Sequence, residues 1–164
     1  MQLNQFTSLT PREIAAIQLA LPHMSITDKM ELLEDLDIRE ARARTQAAKT
    51  NMLGFATAVY PGFKIGPHHK KLAKSEFSSY LFPAYFLGKF PAKKIIMATH
   101  TAGLSEDFGR RIRNLLDTEE YHEIFPETNV ASDQKAAGKW STAAGGQYYA
   151  AGVGGALAGR GADL

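Results

Sequence analysis

Lys93-Lys94-Ile95-Ile96-Met97-Ala98-Thr99 decides the fold class. It is a short, β-prone apolar run with Phe90-Pro91 before it and His100-Thr101-Ala102-Gly103 after it. A run of this length between turn signals has the pattern of a buried parallel strand. Beyond its C-terminal end, Leu104, Phe108, Ile112 and Leu115 recur at helical spacing. They predict a helix with its apolar stripe on the core, leaving Arg110, Arg111 and Arg113 free to reach outward. Thr118 is placed to cap a further short helix over 119–124, which Pro126 terminates. On the other side of the strand, 81–87 is dense in aromatics, with Gly88 as its expected stop and Pro91 beyond. Helix, strand and helix in alternation make α/β the expected class.

The flanks differ from this centre. Thr10-Pro11-Arg12-Glu13 has the residues of a capping box with proline at the first helical position. Ile14, Ile17 and Leu21 then give a short apolar stripe that Pro22 stops. A longer helix is expected from Ser25 or Thr27 through Ala47, with Met30, Leu33 and Leu36 inward and Glu31, Glu34, Asp35 and Arg39 toward water. Met52, Phe55, Ala56 and Val59 continue at helical spacing to the turn at Tyr60-Pro61-Gly62. Pro67 is placed to start another helix, whose apolar members Leu72, Phe77, Tyr80 and Leu81 slip in phase across Lys74. From Gly138 to Gly161 lie 8 of the 14 glycines, interleaved with Trp140, Tyr148 and Tyr149, which predicts short strands joined by turns.

The chain has 164 residues, 45% hydrophobic and 22% charged, which fits a compact globular domain and excludes a fibre or a disordered tail. It has no cysteine, so disulfides, thiolate metal sites and thiol nucleophiles are excluded. The apolar runs are far shorter than the about 20 residues that span a bilayer, and Met1 opens a polar stretch without a signal-peptide pattern. A cytoplasmic protein, neither secreted nor membrane-inserted, is the expectation. The net charge of +2 is unevenly laid out: −1 over residues 1–61, +7 over 62–113 and −4 over 114–164. A basic middle segment permits a polyanion partner, although a solvated lysine face gives the same count.

Single motifs are weak. Lys74-Ser75 would close a phosphate-binding loop if a strand and a glycine-rich turn preceded it, but Leu72-Ala73 leads in from a helix. Gly154 with Gly159-Arg160-Gly161 has the glycine spacing of that loop but an arginine for its lysine and no hydroxyl for magnesium, so a glycine-rich turn is the better reading. His68 and His69 are adjacent and point about 100° apart on a helix, too divergent to share a metal without further ligands. His100 and His122 are isolated, and Glu119, Glu120 and Glu123 describe a solvated face as well as acid–base chemistry. No nucleophile and base pair by spacing.

Several stretches together resemble the ATPase part of a tailed-phage terminase large subunit, the motor that packages viral DNA. The resemblance runs from about Phe55 to Leu164. It is carried by Tyr60-Pro61-Gly62-Phe63 with His68-His69, by 74–83 beginning Lys74-Ser75-Glu76-Phe77, and by 95–101. Phe108-Gly109-Arg110-Arg111, 121–126, 135–140 and 152–163 follow in the family's order. The resemblance implies an incomplete P-loop NTPase-like domain of the ASCE type over 62–164, behind a helical N-terminal region over 1–61. It also implies ATP and Mg2+ as cofactors. Lys74 would contact the β- and γ-phosphates, Ser75 would hold magnesium, and Phe63 and His69 would lie on the adenine side. Arg110, Arg111, Arg113 and Arg160 are its candidates for contacts to DNA or a neighbouring subunit. The implied partners are double-stranded DNA, a small terminase subunit, the portal and a ring of like subunits, in the host cytoplasm.

Two departures bear on activity. The family places a strand and a phosphate loop between the histidine-bearing helix and its Lys-Ser-Glu-Phe block, whereas Lys74 here follows Leu72-Ala73 directly. The sequence also reaches Leu164 where the family's Walker B strand and then its nuclease domain are due. The expectation is therefore an internally deleted, truncated motor segment without intact catalytic residues and with doubtful nucleotide binding. A strand neighbouring 95–99 is expected to be missing, leaving a sheet edge exposed or differently paired. The alternatives are a non-catalytic basic module binding DNA or a terminase subunit, and a remnant of another helicase-like ATPase.

Overall fold

The computed structural model describes residues 9–60, 76–154 and 159–164, with the backbone alone over 133–135. The helices are α1 (Pro11–Ala20), α2 (Ile26–Thr50), α3 (Met52–Val59), α4 (Phe82–Lys89), α5 (Ala102–Leu116) and α6 (Glu119–Ile124). The strands are β1 (Lys94–Thr99), β2 (Val130–Ala136), β3 (Lys139–Thr142) and β4 (Gln147–Gly152), in the spatial order β1-β4-β3-β2. β1 and β4 run parallel with Ile95 opposite Tyr148, while β4, β3 and β2 form an antiparallel meander. The α/β class is thus observed, with a mixed sheet.

Local chemistry sets the helix ends, as expected at Thr10, Ser25 and Thr118 and without a prior expectation at Asn51 and Thr101. Thr10 and Glu13 form the capping box of α1, and Ser25 and Asp28 form that of α2. Asn51, Thr101 and Thr118 cap α3, α5 and α6 through their side-chain oxygens, each satisfying one of the amides a helix start leaves unpaired. A π-helical turn over Phe77–Leu81 precedes α4. Pro83 has no N–H to return to the carbonyl four residues back, so the turn widens and Phe82 N–H bonds to Phe77 O instead. The widened turn rephases the apolar side chains just beyond Lys74; the part of that helix before Glu76 lies outside the described residues.

α5 is the centre of the packing. One side lies on the sheet, and the other meets the π-turn, α4 and α6. Phe55, Tyr85, Tyr121 and Phe125 form an aromatic cluster with ring centroids 5.5–5.9 Å apart, joining α3, α4 and α6. Ala48, Phe55 and Val59, before position 61, share one core with Leu87, Ile95 and Tyr148.

Four expectations are corrected. Met30 and Leu33 are 66% and 60% exposed, because among the described residues the first half of α2 has no layer to pack on; only Leu36 of that stripe is half-buried. Gly88 is not a stop: α4 continues through Lys89, and a Cβ at 88 would lie 2.3 Å from the Phe125 ring, so glycine is required there by packing. Among the described residues β1 is buried on one face only and stands at the sheet edge, since just one strand, β4, pairs with it. Leu104 likewise leaves the predicted stripe and is 47% exposed.

Gly109 is a second packing glycine. An added Cβ would lie 2.4 Å from the Tyr148 ring and 2.6 Å from Ala137 O, whereas one at Gly103 meets nothing. Gly109→Ala is expected to cost about 1–3 kcal/mol by overpacking, and Gly103→Ala to gain about 0.5–1 kcal/mol by helix propensity. Opposite shifts of the urea midpoint check this.

Burial pushes the Tyr121 and Tyr148 phenols well above their ordinary value. Their O–H groups donate to Ala84 O at 2.9 Å and Ser105 O at 2.8 Å. The unfolded chain releases these protons near pH 10 while the folded chain keeps them. Their contribution is therefore complete below about pH 10 and is lost above it, by up to about 1.4 kcal/mol per tyrosine per pH unit. Urea midpoints at pH 9 and pH 11 should show the fall, and Tyr148→Phe should reduce its steepness.

Candidate functional site

Chemistry gathers at three places around α5 and the β1–β4 pair. The first is the carboxyl end of the two parallel strands, where ligands of open α/β sheets bind. Thr99 closes β1 and donates its hydroxyl to Thr101 O at 2.7 Å, while Thr101 Oγ1 accepts Leu104 N–H at 3.3 Å to begin α5. Val153 N–H reaches Thr99 O at 3.0 Å, so the chain leaving β4 stays beside β1. Gly152 makes this possible, since a Cβ there would lie 2.6 Å from Ala102 N. His100 is exposed at the rim.

The second place is the flank of α5. Arg111 donates to both carboxylate oxygens of Glu76, one at 3.0 Å through Nη1 and the other in a closer contact through Nη2. Its guanidinium also lies over the Tyr80 ring, 4.4 Å from the centroid. The hydrogen bonds that Arg111 donates to Glu76 raise the Arg111 pKa, and burial raises that of Tyr80. The expectation of three outward-reaching arginines is corrected for Arg111, which is clamped; Arg110 stays exposed beside Asp107 at 2.9 Å, and Arg113 reaches Asn114 Oδ1 at 3.4 Å. A stripe pattern places arginines off the core but does not reveal the acids that meet them.

The third place is the face of the sheet turned away from α5. Arg160 lies over the Tyr149 ring, 3.9 Å from its centroid. They border a cleft of about 220 Å³ with Lys94, Gln147 and the backbone of Gly159 and Gly161. Asp163 accepts Lys93 Nζ at 2.7 Å and Lys94 N–H at 2.9 Å, and these bonds hold its carboxyl below the usual carboxylate range.

Phe63, His69, Lys74 and Ser75 lie outside the described residues, as does the expected helix around His68-His69. Glu76 is the first described residue after Lys74-Ser75, so the Glu76–Arg111 clamp brings the neighbour of the candidate phosphate-binding pair onto α5. Arg160 is on the other side of the sheet from the α5 arginines. Among the described residues no cluster of His, Cys, Asp or Glu could hold a metal ion. His122 packs against Tyr121 with centroids 6.3 Å apart, while Glu119, Glu120 and Glu123 are exposed on α6. Gly154 and Gly159 have φ of +85° and +79°, as a glycine-rich turn requires. No helix among the described residues is long and apolar enough to cross a membrane. No family model, curated protein or solved structure matches the chain.

Glu76 and Arg111 were not paired by the sequence reading because they are 35 residues apart with no local motif between them. In a double-mutant cycle with Glu76→Gln and Arg111→Met, a coupling of about 0.5–1 kcal/mol is expected, the range for a half-exposed pair of good geometry. Hydrogen exchange at the amides of 77–81 should quicken in Arg111→Met more than in an Arg110→Met control.

Proposed function

We propose that this chain is a segment of a tailed-phage terminase large subunit, derived from the ATP-driven motor that packages viral DNA, and that alone it does not turn over ATP. The observation that carries the reading is the ordered series of sequence blocks from Tyr60 to Asp163. Three structural features support it. β1 is a parallel strand whose carboxyl end opens into the Thr99-His100-Thr101 loop, the position of a nucleotide-bordering motif in an α/β motor. Arg111 ties Glu76, the residue that follows Lys74-Ser75 in the sequence, to α5. Leu164 makes the two hydrogen bonds of a parallel bridge across Ile95, donating to Lys94 O at 3.2 Å and accepting Ile96 N–H at 3.0 Å. A Walker B strand on that edge would extend this pairing.

The lack of turnover follows from the chemistry. Phosphoryl transfer depends on a backbone cradle, its lysine and a magnesium ion holding the γ-phosphate, with an acid and a positioned water beside it. Lys74 and Ser75 supply the lysine and a hydroxyl for magnesium, but Leu72-Ala73 replaces the strand and glycine-rich loop that would aim amides at the phosphates.

Phosphate release by the purified chain, with and without double-stranded DNA, is expected to equal that of Lys74→Ala. A Lys74-dependent rate would overturn the claim of a lost cradle. In the nucleic acid that encodes the chain, codons for an apolar strand ending in Asp and Glu are expected beyond Leu164. An unrelated reading frame there would count against the terminase assignment itself.

A further inference from the structure

The sheet has one face on α5 and one face turned away, and the register states which residue lies where. Tyr148 and Trp140 face α5, since Tyr148 O–H donates to Ser105 O and Trp140 Nε1–H to Gly109 O. Alternation puts their neighbours on the opposite face. There, Lys94, Gln147 and Ser141 lie side by side across β1, β4 and β3, and Ile96, Tyr149 and Lys139 form the next row. Tyr149 is thus the central aromatic of this face, with Lys139 directly opposite it on β3, Lys94 diagonal to it on β1 and Arg160 above its ring.

This face has the charge and shape for a polyanion. Lys94, Lys139 and Arg160 are exposed, and none has an ion-pair partner among the described residues. The nearby acid, Asp163, is already engaged by Lys93 Nζ and Lys94 N–H. The side chains that β1, β3 and β4 turn to this side are lysine, glutamine, serine, tyrosine, isoleucine and alanine, with no carboxylate. Gly159, at φ +79°, turns the backbone just before Arg160. A guanidinium seated on a ring keeps its outer plane and N–H donors available. Bases stack on such planes while phosphates take the donors. A duplex hides its base faces, so an aromatic–arginine platform between lysines favours unpaired bases.

We propose that the open face of the sheet, built from Tyr149, Arg160, Lys94 and Lys139, binds single-stranded nucleic acid by stacking on the Tyr149–Arg160 pair and phosphate contact to the two lysines. The site uses none of the residues assigned to ATP, so it stands whether or not the packaging assignment does.

The test uses the full chain and fluorescein-labelled (dT)12, followed by anisotropy over a range of KCl. Binding is expected at low salt, with log K falling on log [KCl] with a slope of roughly −2 for three phosphates neutralised. Arg160→Gln, at an exposed position, should weaken binding about tenfold and make the slope shallower by roughly 0.7. Lys94→Gln should shift the slope similarly, and Arg42→Gln on α2 should change neither. A twelve-base-pair duplex should compete at least tenfold less well than unlabelled (dT)12. Absence of binding at low salt, equal affinity of wild type and Arg160→Gln, or equal competition by the duplex would each overturn the proposal. Circular dichroism of each variant separates loss of binding from loss of fold.

Discussion

The seat of α5 on the Trp140–Tyr148 pair holds the rest of the structure in place. The two rings are stacked 5.2 Å apart and nearly parallel, and both are fully buried. Burying an indole N–H or a phenol without a partner would cost free energy, and each finds a backbone carbonyl of α5. Ser105 completes the seat by donating from its buried hydroxyl to Ala151 O at 3.0 Å and Ala102 O at 2.8 Å. These contacts fix the rotation of α5 as well as its distance, because each carbonyl is on a particular side of the helix. That rotation in turn sends Arg111 toward Glu76 and Tyr80, and places Ile112 and Leu116 into the core.

What could be read from the sequence follows from the range of each interaction. Caps at Thr10, Ser25 and Thr118 are made within about one turn, and the residues involved sit in the text of the chain. The strand at 94–99 and the glycine-rich strands after 138 were legible for the same reason, since their patterns are local. Met30 and Leu33 were misread because a helical stripe shows which face is apolar and not whether another layer covers it. Gly88 was misread as punctuation because a packing glycine and a stop glycine look alike until Phe125, 37 positions later, is placed against it. The Glu76–Arg111 and Tyr149–Arg160 pairs escaped for that reason too: neither partner carries a local mark of the other.

Among the described residues the parallel pair has a helix on one side only, an unusual arrangement, because crossover connections normally bring helices to both faces. Here α5 covers the face bearing Ile95 and Tyr148. The antiparallel meander β4-β3-β2 then relieves the requirement for a second layer, since antiparallel strands tolerate one solvated face. Composition agrees: the outer positions of β3 and β4 include Lys139, Ser141 and Gln147, which water accepts, whereas Ile96 and Tyr149 beside them need partial cover. Arg160 gives Tyr149 that cover without removing charge from the surface.

The edge of β1 poses the complementary problem. Among the described residues its inner edge is fully used by β4 along Lys94–Thr99, while its outer edge is engaged only near Ile95, by Leu164. An apolar edge strand with free backbone groups is a template for another strand. Lys93, Lys94 and Asp163 cluster at the near end of this edge, and their mutual bonds hold the 163–164 backbone against β1 in parallel register. A strand paired to this edge in the same sense as Leu164 would run with β1, toward the loop at Thr99 and the start of α5. The carboxyl end of the sheet is where such a strand would deliver its last residues, next to His100 and Thr101 and on the opposite side of β1 from the Gly152 turn. An acidic residue arriving there would stand beside the start of α5, whose positive end favours negative charge. The geometry that leaves the edge open is thus the same geometry that points an added strand at the candidate nucleotide end.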